Sequence, residues 1–288
     1  MWFPPGAGAA LNRSAWIVNM CADADEYSNA LGWLAGLDAA RTVPIFNHPK
    51  SILETRRDTI ADRLGGIEGL IVPKCLRFTP EMPPDFQTAF REGGFHYPVL
   101  LRPTSSQTGQ NLLKIDSADD WDQIYKIPWP GQTMFMTQFV DFAEAQGSYI
   151  KIRIAMVGRT HMVRHIKFDA GWKVHNTEDA ASYVQRELEL IEHLEGSATL
   201  HRIVQEVQRR IPLDFWGLDL GYAGDGKDLV FFEGNAAMSM VFDERPNRGQ
   251  SSHGGRREGL LRKKAIGDGL KKQLQEHLRS PSEWLRPA

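Results

Sequence analysis

Asp219, Glu233 and Asn235 are three oxygen-bearing side chains on two short apolar runs, Gly217-Leu218-Asp219 and Phe232-Glu233-Gly234-Asn235. A polar turn, Gly224-Asp225-Gly226-Lys227, lies between them. Alternate residues of a strand share a face, so Glu233 and Asn235 point the same way. A hairpin folded about Gly226 sets Asp219 opposite Glu233. Two carboxylates and an amide brought that close need a cation, and an all-oxygen set suits Mg²⁺ or Mn²⁺ rather than zinc. Gly217 and Gly221 flank Asp219 on the same face and leave room for a bulky anion above the metal. An ordinary surface hairpin with solvated acids is the competing reading of the same residues.

Two more constellations suit anions. The polar loop Arg102-Pro103-Thr104-Ser105-Ser106-Gln107-Thr108-Gly109-Gln110 interrupts two apolar strands. Its polar side chains, Ser105, Ser106 and Gln107 among them, and the flexible backbone at Gly109 supply donors for a phosphate, with Arg102 bracing that anion from the strand end. A loop that only connects strands is also polar. No Gly-Lys-Ser/Thr follows, so the Walker A pattern is excluded. In Tyr149-Ile150-Lys151-Ile152-Arg153-Ile154, Lys151 and Arg153 share one strand face and the isoleucines the other. Two cations facing one way clamp a phosphate or carboxylate, or else mark a solvated sheet face. His161, His165 and His175 have no metal-ligand spacing, and a zinc site is rejected.

The elements that must position these groups follow from periodicity and turn chemistry. Short strands are expected at Ser14–Met20, Val43–Asn47 and Gly69–Pro73, with helices after Asp25 and from Lys50 to about Leu64. These make a thin α/β lobe that needs cover from elsewhere. Strand-like runs follow at Tyr97–Leu101, Asn111–Ile115, Met134–Phe139, Tyr149–Val157 and Thr160–Lys167, mostly antiparallel, with a helix start at Asp119-Asp120-Trp121. Helices are expected at Thr177–Leu194 and Ser197–Arg210, then the hairpin. A basic tail ends in a helix near Arg256–Leu278 with Leu270, Leu274 and Leu278 on one stripe.

The chain of 288 residues is long enough for more than one lobe, and its net charge of −2 offers no broad attraction to nucleic acid or membranes. Cys21 and Cys75 are isolated, no apolar run is long enough to span a bilayer, and the N-terminus lacks a basic secretory n-region. A cytoplasmic protein is therefore expected.

Taken in order, these pieces resemble the ATP-grasp superfamily, in particular its glutathione synthetase-like and ribosomal-protein-S6-modification-like carboxylate–amine ligases, from about Asn47 to about Met240. Pro98–Pro103 with its polar loop and Gly109 looks like the phosphate-covering strand and loop. Met136-Thr137-Gln138-Phe139-Val140-Asp141 looks like the linker whose backbone meets adenine, which assigns Gln138, Phe139 and Val140 to the nucleotide. Gly217-Leu218-Asp219 with Glu233-Gly234-Asn235 resembles the metal-binding end.

The resemblance implies an α+β / α/β protein: two α+β lobes clasping ATP, preceded by a small truncated α/β lobe. The corresponding segments are residues 1–76, 77–168 and 169–288. It implies transfer of the ATP γ-phosphate to a substrate carboxylate, then attack by an amine to form an amide. Asp219, Glu233 and Asn235 would hold Mg²⁺, Arg57 and Arg102 fall where nucleotide-binding lysines are usual, and Lys151 and Arg153 would act on the transferring phosphate. The substrates implied are a small carboxylate and an amine, an amino acid or peptide, in small-peptide or specialised-metabolite synthesis. No nucleic acid or membrane partner is implied, and a homodimer would complete the thin first lobe. Three departures stand out: arginine for both lysines, Gly217 where some relatives carry arginine, and the short first lobe. The arginines and the short lobe leave open a non-catalytic nucleotide-binding scaffold, and the same ATP clamp would also serve a small-molecule kinase.

Overall fold

The computed structural model describes residues 16–38, 45–106, 109–145, 147–174, 183–222 and 228–236, with a few helical positions between 268 and 279. The larger sheet is built on alternation. In β8 (Tyr149–Val157) Ile150, Ile152, Ile154 and Met156 are buried on one face, and Lys151 and Arg153 stand on the other. β8 pairs with β9 (Thr160–Asp169) through the turn at Gly158 and, on its other edge, with β10 (Phe215–Tyr222). β10 in turn carries β11 (Leu229–Asn235), and the short β3 (Leu70–Ile71) completes five strands in the order β3-β11-β10-β8-β9.

The isoleucine face packs on helices. In α6 (Ala198–Arg210) Leu200, Ile203, Val204 and Val207 recur at helical spacing and are buried, and the Ser197 hydroxyl caps its start. α5 (Val184–Glu195) adds Ile191 and Leu194, and α3 (Arg57–Leu64) adds Ile60 and Leu64 to the same core. The polar face of the sheet, with Lys151, Arg153 and Asp219, is turned away from that core.

A second, four-stranded antiparallel sheet has the order β4-β7-β5-β6, from β4 (Cys75–Phe78), β5 (Val99–Pro103), β6 (Leu113–Ile115) and β7 (Met134–Gln138). Val99, Leu101, Ile115, Met134 and Met136 bury one face against α4 (Pro84–Glu92) and a 3₁₀ helix at Ala118–Lys126. Register places Cys75, Arg77, Arg102, Lys114, Phe135 and Thr137 on the opposite face. A two-stranded parallel pair, β1 (Ile17–Val18) and β2 (Ile45–Phe46), with α1 (Ser28–Asp38) between, forms the small first lobe. No helix among the described residues is long and apolar enough to cross a membrane.

Three expectations differ from this architecture. The segment boundary at residue 168 falls inside β9. The change of sheet comes earlier, between Gln138 and Tyr149, because β8 and β9 hydrogen-bond to β10 and not to the smaller sheet. The helix expected from Lys50 to Leu64 is two, α2 (Pro49–Leu53) and α3. Thr55 returns both its N–H and its hydroxyl to the Ile52 carbonyl, and Arg56 is extended at ψ 142°, so the chain breaks before Arg57. The segment at Asp119 is a 3₁₀ helix, opened by a reciprocal Ser117–Asp120 cap. The turn 223–227, residues 175–182 and the leucine stripe at 270, 274 and 278 lie outside the described residues.

Candidate functional site

One row of side chains crosses the polar face of the larger sheet. Glu233 on β11 is registered with Asp219 on β10, Asp219 with Arg153 on β8, and Arg153 with His165 on β9. The row owes its acidic end to a bulge. Beyond the Asp219–Glu233 pair the register slips so that Leu220 faces Phe231, leaving Phe232 as the extra residue. A regular strand would place Phe231 and Glu233 on one face; the bulge lets Phe231 join the apolar core while Glu233 faces the cleft.

Asp219 is wholly buried. Arg153 holds it with two bonds, Nε to Oδ1 and Nη2 to Oδ2, both 2.5 Å, and Lys151 Nζ lies 2.6 Å from Oδ2. Hydrogen bonding to Asp219 raises the Arg153 pKa against the opposing effect of burial. Glu233 pairs with Arg57, whose Nη1 also donates to the bulged Phe232 carbonyl at 2.9 Å. Burial pushes the Glu233 pKa up, but Arg57, Lys151 and Arg102 outweigh it and hold the carboxyl well below the usual range. Arg57 opens α3, and from there its side chain reaches β11.

Arg102 comes from the opposite sheet. Its Nε is buried without a hydrogen-bond partner, and burial followed by the nearby Arg57 cation pulls its pKa down to about 10. A solvent-open cleft is lined by Arg102, Thr104, Glu233, Gly234 and Asn235 on the sheet side and by Arg57 at the start of α3. The first lobe contributes Asp23 and Asp25, and the α2–α3 junction Thr55 and Arg56. Asp25 is itself held by Arg77 at 2.6 Å, and Arg77 also takes both oxygens of Asp58.

The structure therefore gathers Arg57, Arg102, Glu233 and Asn235 around one cleft, with Asp219, Lys151 and Arg153 in the adjoining row. Other expected residues are placed elsewhere. Ser105 is exposed, and Ser106 is buried with its hydroxyl unpartnered; neither lines the cleft, whereas Thr104 does. Gln107 lies outside the described residues. Gly109 has φ +70°, and a Cβ there would stand 3.2 Å from Lys173 Cε. Gln138 spends its amide internally, donating to the His96 and Pro98 carbonyls at 2.9 and 3.0 Å and accepting from the His96 N–H at 3.2 Å. Its backbone N–H and that of Phe139 are also taken, by Lys74 and Pro98. The Phe139 ring lies under Lys114 Nζ at 4.3 Å and edge-on to Trp172, and Val140 packs with the Phe142–Val174–Val230 cluster.

The space expected over Gly221 is filled. A Cβ there would meet Phe232 Cζ at 2.6 Å and Phe142 Cγ at 2.9 Å, so this glycine admits aromatic rings rather than an anion. His161 packs on the His201 ring, centroids 4.6 Å apart, and among the described residues no group of three His, Cys, Asp or Glu is placed to hold a metal. The oxygen set here is two carboxylates and one amide. Sequence reasoning placed Thr104 in the phosphate loop but gave no site role to Asp23, Asp25 or the α2–α3 junction, because short polar loops carry no periodic signal. Thr55 ahead of two arginines was the one available hint of a helix break.

No protein-family model matches the chain, and no curated protein sequence does. The chain is similar to solved ATP-grasp ligases. One is the ligase PsnB complexed with a phosphomimetic variant of its minimal precursor, Mg and ADP, at 15% identity and TM-score 0.45 over 87% of this chain and 68% of that one. VanG D-Ala:D-Ser ligase from Enterococcus faecalis is 15% identical with TM-score 0.46, covering 73% and 61%. The D-alanine-D-alanine ligase from Coxiella burnetii is 10% identical with TM-score 0.46, covering 92% and 72%.

Proposed function

We propose that this chain is an ATP-grasp ligase that joins a carboxylate to an amine in the cytoplasm, using ATP and a divalent cation. The observation that carries this reading is the convergence of four cations, Arg57, Arg102, Lys151 and Arg153, on the abutting Asp219–Glu233 pair. One of the four, Arg102, has a buried donor still unpartnered. An unpartnered buried guanidinium nitrogen is costly, and a phosphate oxygen is the group that fits it.

Asp219, Glu233 and Asn235 form a hard oxygen set suited to Mg²⁺ or Mn²⁺, which when bound would neutralise charge on the phosphates. The chain's own residues do the rest. Arg57 and Arg102 hold the nucleotide phosphates, Arg57 exchanging its carboxylate for phosphate oxygens. Lys151 and Arg153 stabilise the γ-phosphoryl group as it passes to the substrate carboxylate. The amine then attacks the acylphosphate carbon, the C–O bond breaks, and an amide, ADP and inorganic phosphate are released. Another solved form of PsnB is complexed with a precursor peptide and AMPPNP, and VanG is a D-Ala:D-Ser ligase; an amino acid or peptide is accordingly the substrate class proposed here.

A second reading, a nucleotide-binding protein without turnover, is favoured by one observation: both Asp219 oxygens are already occupied by Arg153 and Lys151. Incubation with ATP, Mg²⁺ and pooled amino acids or dipeptides, with mass detection of products, separates the readings. Amide product with free phosphate supports the ligase. A phosphorylated product points to a kinase, and nucleotide binding with no turnover points to the scaffold.

A further inference from the structure

Asn47 stands outside the cleft and belongs to the small first lobe, yet it is wholly buried against the strand that carries Asp219. It follows β2 with φ +54°, a left-handed conformation that Asn tolerates better than most side chains. Its Oδ1 accepts from the N–H groups of Asp214 and Phe215 at 2.9 and 3.0 Å, and its Nδ2 donates to the Phe215 carbonyl at 2.7 Å. A longer contact of 3.5 Å runs from Nδ2 to the carbonyl of Ala236, the residue after Asn235.

This pattern imitates a β-ladder. Gly217 is the last β10 residue registered with β11, opposite Asn235. Phe215 lies two residues earlier, so its N–H and C=O point to the same side as those of Gly217, past the place where β11 ends. The Asn47 amide offers that backbone one acceptor and one donor, as a further strand residue would. β11 ends at Asn235 beside this mimic. The lock is anchored from behind: the Asn47 N–H donates to the Asp214 carboxylate at 2.6 Å, and Asn19 Nδ2, beside β1, donates to the Asn47 carbonyl at 3.0 Å.

We infer that Asn47 is a positioning residue for the oxygen set, fixing where β11 ends and hence where Asn235 stands relative to Asp219 and Glu233. The inference rests on the metal role proposed above for those three residues. It gives the small first lobe a purpose besides contact with substrate, since its β1–β2 pair holds the strut that sets the metal end of the cleft.

The test uses the full chain, with Mn²⁺ and ADP as probes, at a temperature where circular dichroism shows each variant folded. Asn47→Gly keeps the positive φ and removes the amide. Asn47→Asp retains the acceptor and loses the donor, setting an oxygen against the Phe215 carbonyl close to the Asp214 carboxylate, and it is compared only where circular dichroism shows it folded. Mn²⁺ binding in the presence of ADP, read from the paramagnetic signal of free Mn²⁺, is expected to weaken about tenfold or more, the scale of lost metal-supporting contacts. ADP binding in EDTA, which depends on Arg57 and Arg102, stays close to that of the wild type. Unchanged Mn²⁺ affinity in a folded variant, or equal loss of Mn²⁺ and ADP binding, overturns the inference and leaves Asn47 a plain structural residue. Wild-type protein that binds neither probe overturns the functional reading and this inference together.

Discussion

Replacing Arg153 by Met removes the two bonds that hold Asp219 while keeping most of the side-chain volume, and the structure sets the size of the effect. Breaking a buried ion pair from one side costs about 3–5 kcal/mol because a charge is left stranded. Here Lys151 still faces Oδ2, and the Arg153 side chain keeps 25% exposure, so water partly screens the pair. The expected cost is therefore about 2 kcal/mol, below the buried-pair range. Asp219→Asn should destabilise comparably for the opposite reason. It leaves Arg153 and Lys151 beside Lys167, whose pKa is already pulled down by burial and by those two cations. Combining the two changes removes the mismatch, so the double variant should cost about 1–2 kcal/mol less than the sum. Urea unfolding at neutral pH, with equal m-values across the four proteins, measures the cycle. Additivity within about 0.5 kcal/mol, or an Arg153→Met cost below that, refutes the ion pair as drawn.

Glu233→Gln should abolish divalent-dependent turnover while circular dichroism stays native-like; full activity in that variant sinks the site assignment. Arg102→Met should weaken ATP binding by about tenfold or more without lowering Tm, because burial and the Arg57 cation outweigh its attraction to Glu233, its buried Nε has no hydrogen bond to lose, and one charge-assisted bond to phosphate is worth about 1.5–3 kcal/mol. Binding unchanged by calorimetry would place the phosphates elsewhere. Gly221→Ala should cost about 1–3 kcal/mol in urea unfolding as the new methyl group meets the Phe142 and Phe232 rings; a neutral change would mean those rings are not held there. His161 has a pKa pulled down from 6.5 to about 4 by burial and then by His201, so the unfolded chain takes up its proton first. Its contribution to stability is complete above about pH 6.5 and is lost as pH falls towards 4. His161→Leu should flatten the Tm decline over that interval, and an unchanged slope would assign the acid limb to other groups.

Some of this was written in the order of residues. Ile150, Ile152 and Ile154 alternating with Lys151 and Arg153 could make only a strand with one apolar and one cationic face, and β8 has the bounds that pattern implied. α6 was equally legible, its apolar spacing and Ser197 cap being local properties. The pairing of Asp219 with Glu233 followed from the turn, although the bulge at Phe232 did not, since one extra residue leaves no trace in an apolar run. The sheet partner of β8 and β9 was not legible, because pairing between strands distant in sequence depends on which edges meet. Gln138 shows the same limit: its amide serves two carbonyls brought near by the fold, and nothing in a linker sequence distinguishes that use from contact with a ligand.

What the sequence determined by itself is the chemistry available: two carboxylates and an amide on neighbouring strands, a cationic strand, and an arginine ahead of a polar loop. Composition and spacing suffice for that, because period and turn residues act over a few positions. Tertiary structure alone decided who is paired with whom. It set Arg57 on Glu233 and Arg153 on Asp219, left the Arg102 Nε unpartnered, filled the space over Gly221 with two rings, and brought Asn47 to the end of the β10–β11 ladder. The physical reason is range. Helix and strand propensities are settled by near neighbours, whereas charge neutralisation and close packing are settled by whatever the fold delivers from far along the chain.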